Sequence, residues 1–497
     1  MSTSATSPKN EQALSIKSIM LPLIAIIVGM FMVILDGTAM NVAIDQFMKD
    51  FQSSFSLVQW TITGYALAQA AVIPLAGWLS DRFGAKRIFL TSIVLFTLGS
   101  LLCGIAGSIE QLIIFRIMQG LGGGMVAPIA MAFTYRLSPP GKQGAVMGMI
   151  GIPMLLAPAL GPVVSGWLVE YASWHWIFLI NLPIGIIAVI VGIRTLPNLE
   201  RQTVPSLDLL GMIFAPLAFA GLAYGISSAG GEHGGGNGWT APETLFGLIG
   251  GGIALIIFII IELKRKQPLL ELRVFKSSDF TRGILLQWIV QIALFGTLFL
   301  IPVFLIQAKG FSAFETGLIL LPQALSAGIG MPIGGKLFDK FGARPVVLFG
   351  LALITTGAFL LSTISASTSI PEIMLRLVLL GLGMGFSMMP LNTHIIQSAP
   401  KHLVGRVTSL TGAAQQVMSS FAIAGLSTLL ADRVKHYTAV NPGPDIPYFS
   451  FGDVFFILGC VAVFGMLVAL LLRRPKPQGQ PDGSEAGTEQ VNMMMGH

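Results

Sequence analysis

Long apolar runs alternate with short polar links along most of this chain. The runs last about 18 to 24 residues, the length that carries an α-helix across a hydrocarbon core of roughly 30 Å. They lie near 21–42, 57–79, 88–107, 111–134, 145–168, 176–195, 208–228, 245–263, 283–306, 316–337, 345–365, 372–394, 407–430 and 452–472. None has the alternating pattern of a barrel strand, and a backbone in lipid must satisfy its own hydrogen bonds, so each run predicts a helix. The expected fold class is therefore an all-α integral membrane protein of fourteen transmembrane helices.

Composition agrees with a lipid solvent. Of 497 residues, 54% are hydrophobic and 10% charged, against roughly a quarter charged in soluble domains. Charge also sets orientation. Alternate links hold Arg82, Lys86 and Arg87; Arg136 and Lys142; Arg194 and Arg201; Lys264, Arg265, Lys266, Arg273 and Lys276; Lys336, Lys340 and Arg344; and Lys401 and Arg406. The opposite links carry only Lys49, Lys309, Arg433 and Lys435. Lys/Arg-rich links stay inside, so both termini are expected in the cytoplasm. The net charge of +6 is spread over these links rather than gathered on one face, which gives no reason to expect nucleic acid. The first sixteen residues and the stretch 475–497 are polar and read as disordered tails. The first apolar run is too long for a signal-peptide core and has no small-residue cleavage site, so it is expected to be retained. Cys103 and Cys460 lie in apolar runs and read as small core residues.

The chain repeats itself. Gly77-Trp-Leu-Ser-Asp81-Arg82-Phe-Gly84-Ala follows the second run, and Gly335-Lys-Leu-Phe-Asp339-Lys340-Phe-Gly342-Ala follows the tenth, 258 positions later. Pro74 and Pro332 keep that register, and Arg116 with Gly120, Gly122 and Gly124 is echoed by Arg376 with Gly381, Gly383 and Gly385. Parallel repeats of this kind build transporters whose halves rock around a central site. The expected organisation is a six-helix bundle at 17–200, two added helices and a linker at 201–280, and a second six-helix bundle at 281–474.

Asp36 is the only carboxylate near the middle of any run. An ionised acid there costs about 2.5 to 3.5 kcal/mol, so it must be paired, hydrated or protonated, and a group that alternates between those states can carry a proton. Its counterpart in the second repeat is Leu294. The alternative is a structural hydrogen bond to a neighbouring helix. Arg116 sits a few residues inside the fourth run, where its guanidinium can control when a nearby carboxylate releases its proton, or else snorkel to the outer interface. Asp81 ends the second run, where an acid can latch onto a neighbouring helix N-terminus. Gly84 and Gly342 equally suit simple tight turns. In the fifth run Gly144 and Gly148 are four apart, and Pro158, Gly161, Pro162 and Gly166 follow. Ala324 and Gly328 offer the tenth run a matching small face, so the fifth and tenth runs are expected to touch. The stretches 122–124 and 234–236 are glycine triplets without a following Gly-Lys-Ser/Thr, which argues against a phosphate loop and ATP-driven transport. No cofactor, metal or enzymatic activity is expected, and no residue is singled out for substrate contact.

Gly77 to Arg87 resembles the loop signature of the major facilitator superfamily. Four further stretches resemble its fourteen-helix drug:proton antiporter branch, of EmrB/QacA type. These are Leu35-Asp36-Gly-Thr38-Ala-Met-Asn41-Val-Ala43, Arg116-Ile-Met-Gln119-Gly120, Ala157-Pro158-Ala-Leu-Gly161-Pro162-Val-Val-Ser-Gly166 and Trp174-His-Trp176-Ile-Phe178-Leu-Ile-Asn181-Leu-Pro183-Ile-Gly185. The fifth-run signature departs at Ala157 and Ser165, where glycine is common. The resemblance implies proton coupling at Asp36 and Arg116 and an antiporter role for Pro158, Gly161, Pro162 and Gly166. It also implies a conformational gate at Gly77, Asp81, Arg82, Gly84, Arg87, Asp339, Lys340 and Gly342. The function it implies is multidrug efflux, with small lipophilic or cationic compounds exchanged for protons across a bacterial cytoplasmic membrane. A periplasmic adaptor is an expected partner where the host has an outer membrane. Export of one metabolite, such as a siderophore or peptide-like product, is the alternative on the same fold. A non-transporting receptor is more distant, and an uptake symporter conflicts with the fifth-run signature.

Overall fold

The structure, a computed structural model, describes residues 16–40, 43–199, 209–229, 238–265, 268–400, 403–440 and 443–472. Residues 1–15 and 473–497, which hold nearly all of the expected tails, together with Arg201, Lys266, Lys401 and Asn41, lie outside the described residues, and Ile16 already belongs to the first helix. Fourteen principal helices account for the apolar runs. They are α1 (Ile16–Ala39), α2 (Phe55–Phe83), α3 (Ala85–Gly104), α4 (Ile109–Leu137), α5 (Gln143–Tyr171), α6 (Asn181–Thr195), α7 (Leu209–Ala229), α8 (Pro242–Lys264), α9 (Ser278–Gln307), α10 (Ala313–Phe341), α11 (Ala343–Ser362), α12 (Ile370–Gln397), α13 (Val404–Val440) and α14 (Ile446–Ala469). A short helix, His175–Leu179, leads into α6. Twelve spans are long and apolar enough to cross a membrane outright; α5, bent between Pro158 and Val163, makes a thirteenth, and the apolar part of α7 is the shorter stretch Leu210–Ile226.

The repeat is visible in helix lengths. Both α2 and α10 have 29 residues, and both α3 and α11 have 20. Single glycines link each pair: Gly84 (φ 96°) and Gly342 (φ 84°) take positive φ, a conformation that strains any residue with a Cβ. These turns need glycine for geometry as well as for any gating role.

Each half has its own apolar core. Ile26, Phe89, Phe96, Val126 and Phe133 pack in the first, and Val290, Leu300, Val347, Leu377 and Phe455 in the second. The added helices form a hairpin in which Gly221 and Gly225 meet Gly247 and Gly251, each too close to a facing backbone for a Cβ. One face of α7 buries Ala215 and Phe219 in a cluster with Ile73 and Trp78 of α2 and Val407 and Leu410 of α13. The hairpin thus covers one of the two seams between the halves.

Candidate functional site

The charged centre is built in the first half. Asp36 and Arg116 form an ion pair with Oδ2 and Nη1 2.6 Å apart, and both side chains are fully buried. Arg116 Nη1 also donates to Gln119 Oε1 at 2.7 Å, and Nε donates to the Thr61 carbonyl at 3.2 Å. Its guanidinium carbon lies 3.9 Å from the Tyr65 ring centroid, a cation–π contact on a desolvated face. The other carboxylate oxygen, Asp36 Oδ1, accepts from Gln119 Nε2 at 3.1 Å and from Asn181 Nδ2 at 2.8 Å. The same Asn181 nitrogen donates to Ser100 Oγ at 3.0 Å, and Ser100 donates to the Phe178 carbonyl at 2.9 Å. Two polar atoms in this cluster, Arg116 Nη2 and Asn181 Oδ1, are buried without a hydrogen-bond partner.

The carboxylate thus accepts charge-assisted hydrogen bonds from one guanidinium and two amides. Removing one partner of such a buried pair costs about 3–5 kcal/mol, because an uncompensated charge is left behind. Arg116 therefore does not snorkel to the outer interface; its hydrogen bonds and Tyr65 hold it inward. The depth differs from the sequence reading. Asp36 is three residues from the last residue of α1, and Arg116 seven from the first of α4, so the pair lies in the membrane half remote from the basic links rather than at mid-helix. The apolar run extends past Asp36, whereas the described helix stops at Ala39.

The residues expected to form a gate gather at the basic end. Asp339, the last acid of α10, accepts from the backbone N–H groups of Gly144 and Ala145 at 2.8 and 2.9 Å. It therefore caps the N-terminus of α5 across the boundary between halves, where a carboxylate meets the positive end of the helix dipole. Asp81 lies at the equivalent N-terminus of α13: its carboxylate faces Gly405, and its Oδ1 is 2.8 Å from Arg136 Nη2. Just behind these acids the two halves meet backbone to backbone. A Cβ on Gly335 would collide with the Gly144 carbonyl, and one on Gly77 with the Gly405 carbonyl. The Gly77 N–H donates to Ser409 Oγ at 2.6 Å. Both seams are thus shut at the basic end by close glycine contacts between backbones. Arg82 and Lys340 are exposed beside it, with Arg82 over Trp78 and Lys340 over Phe341, and Arg87 is exposed one turn into α3.

Helices α5 and α10 touch, as their small residues suggested, but in another register. The α10 face against α5 is Met331, Pro332, Gly335 and Phe338; Gly328 faces open space. Glycine spacing alone could not separate this face from the one that Gly330 and Gly334 turn towards α12. In the fifth-run signature, Gly161 lies so close to Thr38 that a Cβ would clash with its hydroxyl, which ties α5 to the helix carrying Asp36. Pro158 and Gly166 are partly buried, and the Pro162 side chain is not among the described ones. Sequence reasoning gave no role to Thr61, Tyr65, Ser100, Gln119 or Asn181; for the last two the available signal was their place in the Arg116-Ile-Met-Gln119-Gly120 and Trp174–Gly185 stretches.

The profile of the Major Facilitator Superfamily matches residues 26–423. Among named relatives, a multidrug resistance protein B homolog of Mycobacterium tuberculosis is 36% identical over 405 residues, covering 81% of this chain and 74% of the relative. The lincomycin resistance protein LmrB of Bacillus subtilis is 31% identical over 479 residues, covering 95% and 98%. Among solved structures, the proton:xylose symporter XylE bound to 6-bromo-6-deoxy-D-glucose superposes with a TM-score of 0.66 at 16% identity, over 93% of this chain and 97% of that one. That similarity speaks to the fold alone.

Proposed function

This chain belongs to the Major Facilitator Superfamily, and from that premise we propose that it is a proton-coupled antiporter of the fourteen-helix drug-efflux branch. It exports small lipophilic or cationic compounds across the bacterial cytoplasmic membrane, with both termini in the cytoplasm. Relatives named for multidrug and lincomycin resistance support the substrate class. The observation that carries the coupling is the fully buried Asp36–Arg116 pair, present once in a duplicated scaffold.

The coupling follows from the electrostatics. In the described state the basic end is shut and Asp36 is ion-paired. A proton arriving from the opposite side neutralises Asp36 and leaves Arg116 without its counter-charge, which stabilises whichever arrangement resolves that charge. A ligand shifts a conformational equilibrium only through such differential affinity. One proton moving down about 100 mV releases roughly 2.3 kcal/mol, and a pH unit adds roughly 1.4, comparable with the cost of unpairing the buried arginine.

The test is substrate-driven proton release from proteoliposomes with wild type and Asp36→Asn, together with substrate binding to purified protein. The variant should still bind substrate, although it leaves Arg116 without its counter-charge and so loses about 3–5 kcal/mol of stability, yet release no protons. Wild-type proton exchange in the variant returns Asp36 to a structural role.

A further inference from the structure

We propose that Asn181 is the positioning residue that reads the charge of Asp36 for helix α6, by turning its side-chain amide between donating to an ionised carboxylate and accepting from a protonated one. The inference rests on the reading of Asp36 as the proton carrier.

Three observations carry it. First, Asn181 is wholly buried and meets Asp36 Oδ1 at 2.8 Å from across the bundle. Second, its Oδ1 is a buried acceptor with no partner. An unmet buried acceptor is costly, and in a cluster otherwise so well bonded it points to a second arrangement that uses it. A protonated Asp36 supplies the missing donor. The other amide on that carboxylate, Gln119, already spends its oxygen on Arg116 Nη1, so Asn181 holds the acceptor that remains. Third, Asn181 stands where the hydrogen-bond ladder of a continuous helical span is weakened. It is the first residue of α6, after a one-residue interruption at Ile180 that separates α6 from His175–Leu179. Pro183, two residues on, has no N–H to offer the Leu179 carbonyl four residues back. When the amide turns, its oxygen takes the nitrogen's present place, 2.8 Å from Asp36 Oδ1 and 3.0 Å from Ser100 Oγ, whose hydroxyl can then donate to it instead of to the Phe178 carbonyl. The proton's arrival is thereby passed to α3 and to the short helix before α6.

The experiment is ethidium-driven proton release from proteoliposomes across a range of external pH, with wild type, Asp36→Asn, Asn181→Leu and Asn181→Thr. Leucine matches the amide in size but neither donates nor accepts. Losing a donor to the charged form outweighs losing an acceptor for the neutral one, since charge-assisted bonds are stronger. The pH of half-maximal release should rise by about one unit in Asn181→Leu, tenfold in proton concentration, with ethidium binding at low pH unchanged. Threonine, whose hydroxyl does both, should restore most of the wild-type profile, and it keeps the test decisive if the leucine variant fails to fold. An unshifted midpoint in Asn181→Leu, or in Asn181→Thr a shift as large as leucine's, overturns the role of Asn181 while leaving Asp36 intact. Identical release by wild type and Asp36→Asn removes the carrier and this inference with it.

Discussion

Gly335→Ala is the sharpest probe of the closed basic end. The added methyl would meet the Gly144 carbonyl oxygen, its carbon and the Ala145 nitrogen at once, all of them backbone of the opposite half. No side chain can swing aside, so α5 and α10 must separate. Overpacking a tight contact costs about 1–3 kcal/mol, and nearly all of that cost falls on the state in which the seam is shut. The equilibrium should move towards basic-end opening by roughly 5- to 150-fold. Spin labels on exposed Arg87 and Lys340 positions would report the distance between halves, and thiol labelling of cysteines near Gly144 would report access. Gly328→Ala is the built-in control: the same helix, the same added methyl, and nothing within 4 Å to meet it. An unchanged distance distribution in Gly335→Ala, or an equal opening in Gly328→Ala, refutes the reasoning.

Asp339→Asn keeps an acceptor for Gly144 or Ala145 but removes the charge from the α5 N-terminus; the shut state should weaken by about 1 kcal/mol, seen as a smaller opening in the same spin-label assay. Arg116→Gln strands Asp36 as a buried unpaired charge and should cost about 3–5 kcal/mol, whereas adding Asp36→Asn should recover much of the lost thermal stability; a double variant no better than the single one contradicts the pairing. The α7–α8 hairpin touches both halves, through Trp60 stacked on Tyr224 and through Trp239 bonded to Thr428, and it can ride with only one of them. A cross-link at 60–224 or at 239–428 should therefore arrest efflux while the other is tolerated, and tolerance of both would mean that the halves do not rock as units. With Asp36 as the acid proposed to carry the coupling, neutral and singly charged lipophilic substrates should be exported better than dications, which competition transport assays would show.

The sequence carried the helices well because lipid makes apolar run length a direct measure of a span. It carried their ends less well, since hydropathy marks the membrane and not the helix: α13 continues through Asp432, Arg433 and Lys435 to Val440, ten residues past the apolar run. The duplicated loop was legible as a repeat, but its partners were not. Asp339 meets Gly144 and Asp81 faces Gly405, contacts 195 and 324 positions apart that only folding brings together. Asn181 was legible as part of a motif and illegible as a ligand of Asp36, 145 positions away. The repeat preserves some of these features in both halves and not others. The acids at the seams differ, Asp339 capping α5 and Asp81 pairing with Arg136 of its own half, but the glycine contact is duplicated, one copy closing each seam. The charged pair is not. Leu294, in the place of Asp36, is buried in the second core, and Arg376, in the place of Arg116, pairs with Glu372 one turn earlier on its own helix. Arg376 also donates to the Leu360 carbonyl of α11, but that neutral acceptor gives a proton no charge to change. Asp36 and Arg116, on different helices and tied to a third through Asn181, form a pair whose charge a proton would change, which favours the first half as the place of the proposed proton coupling.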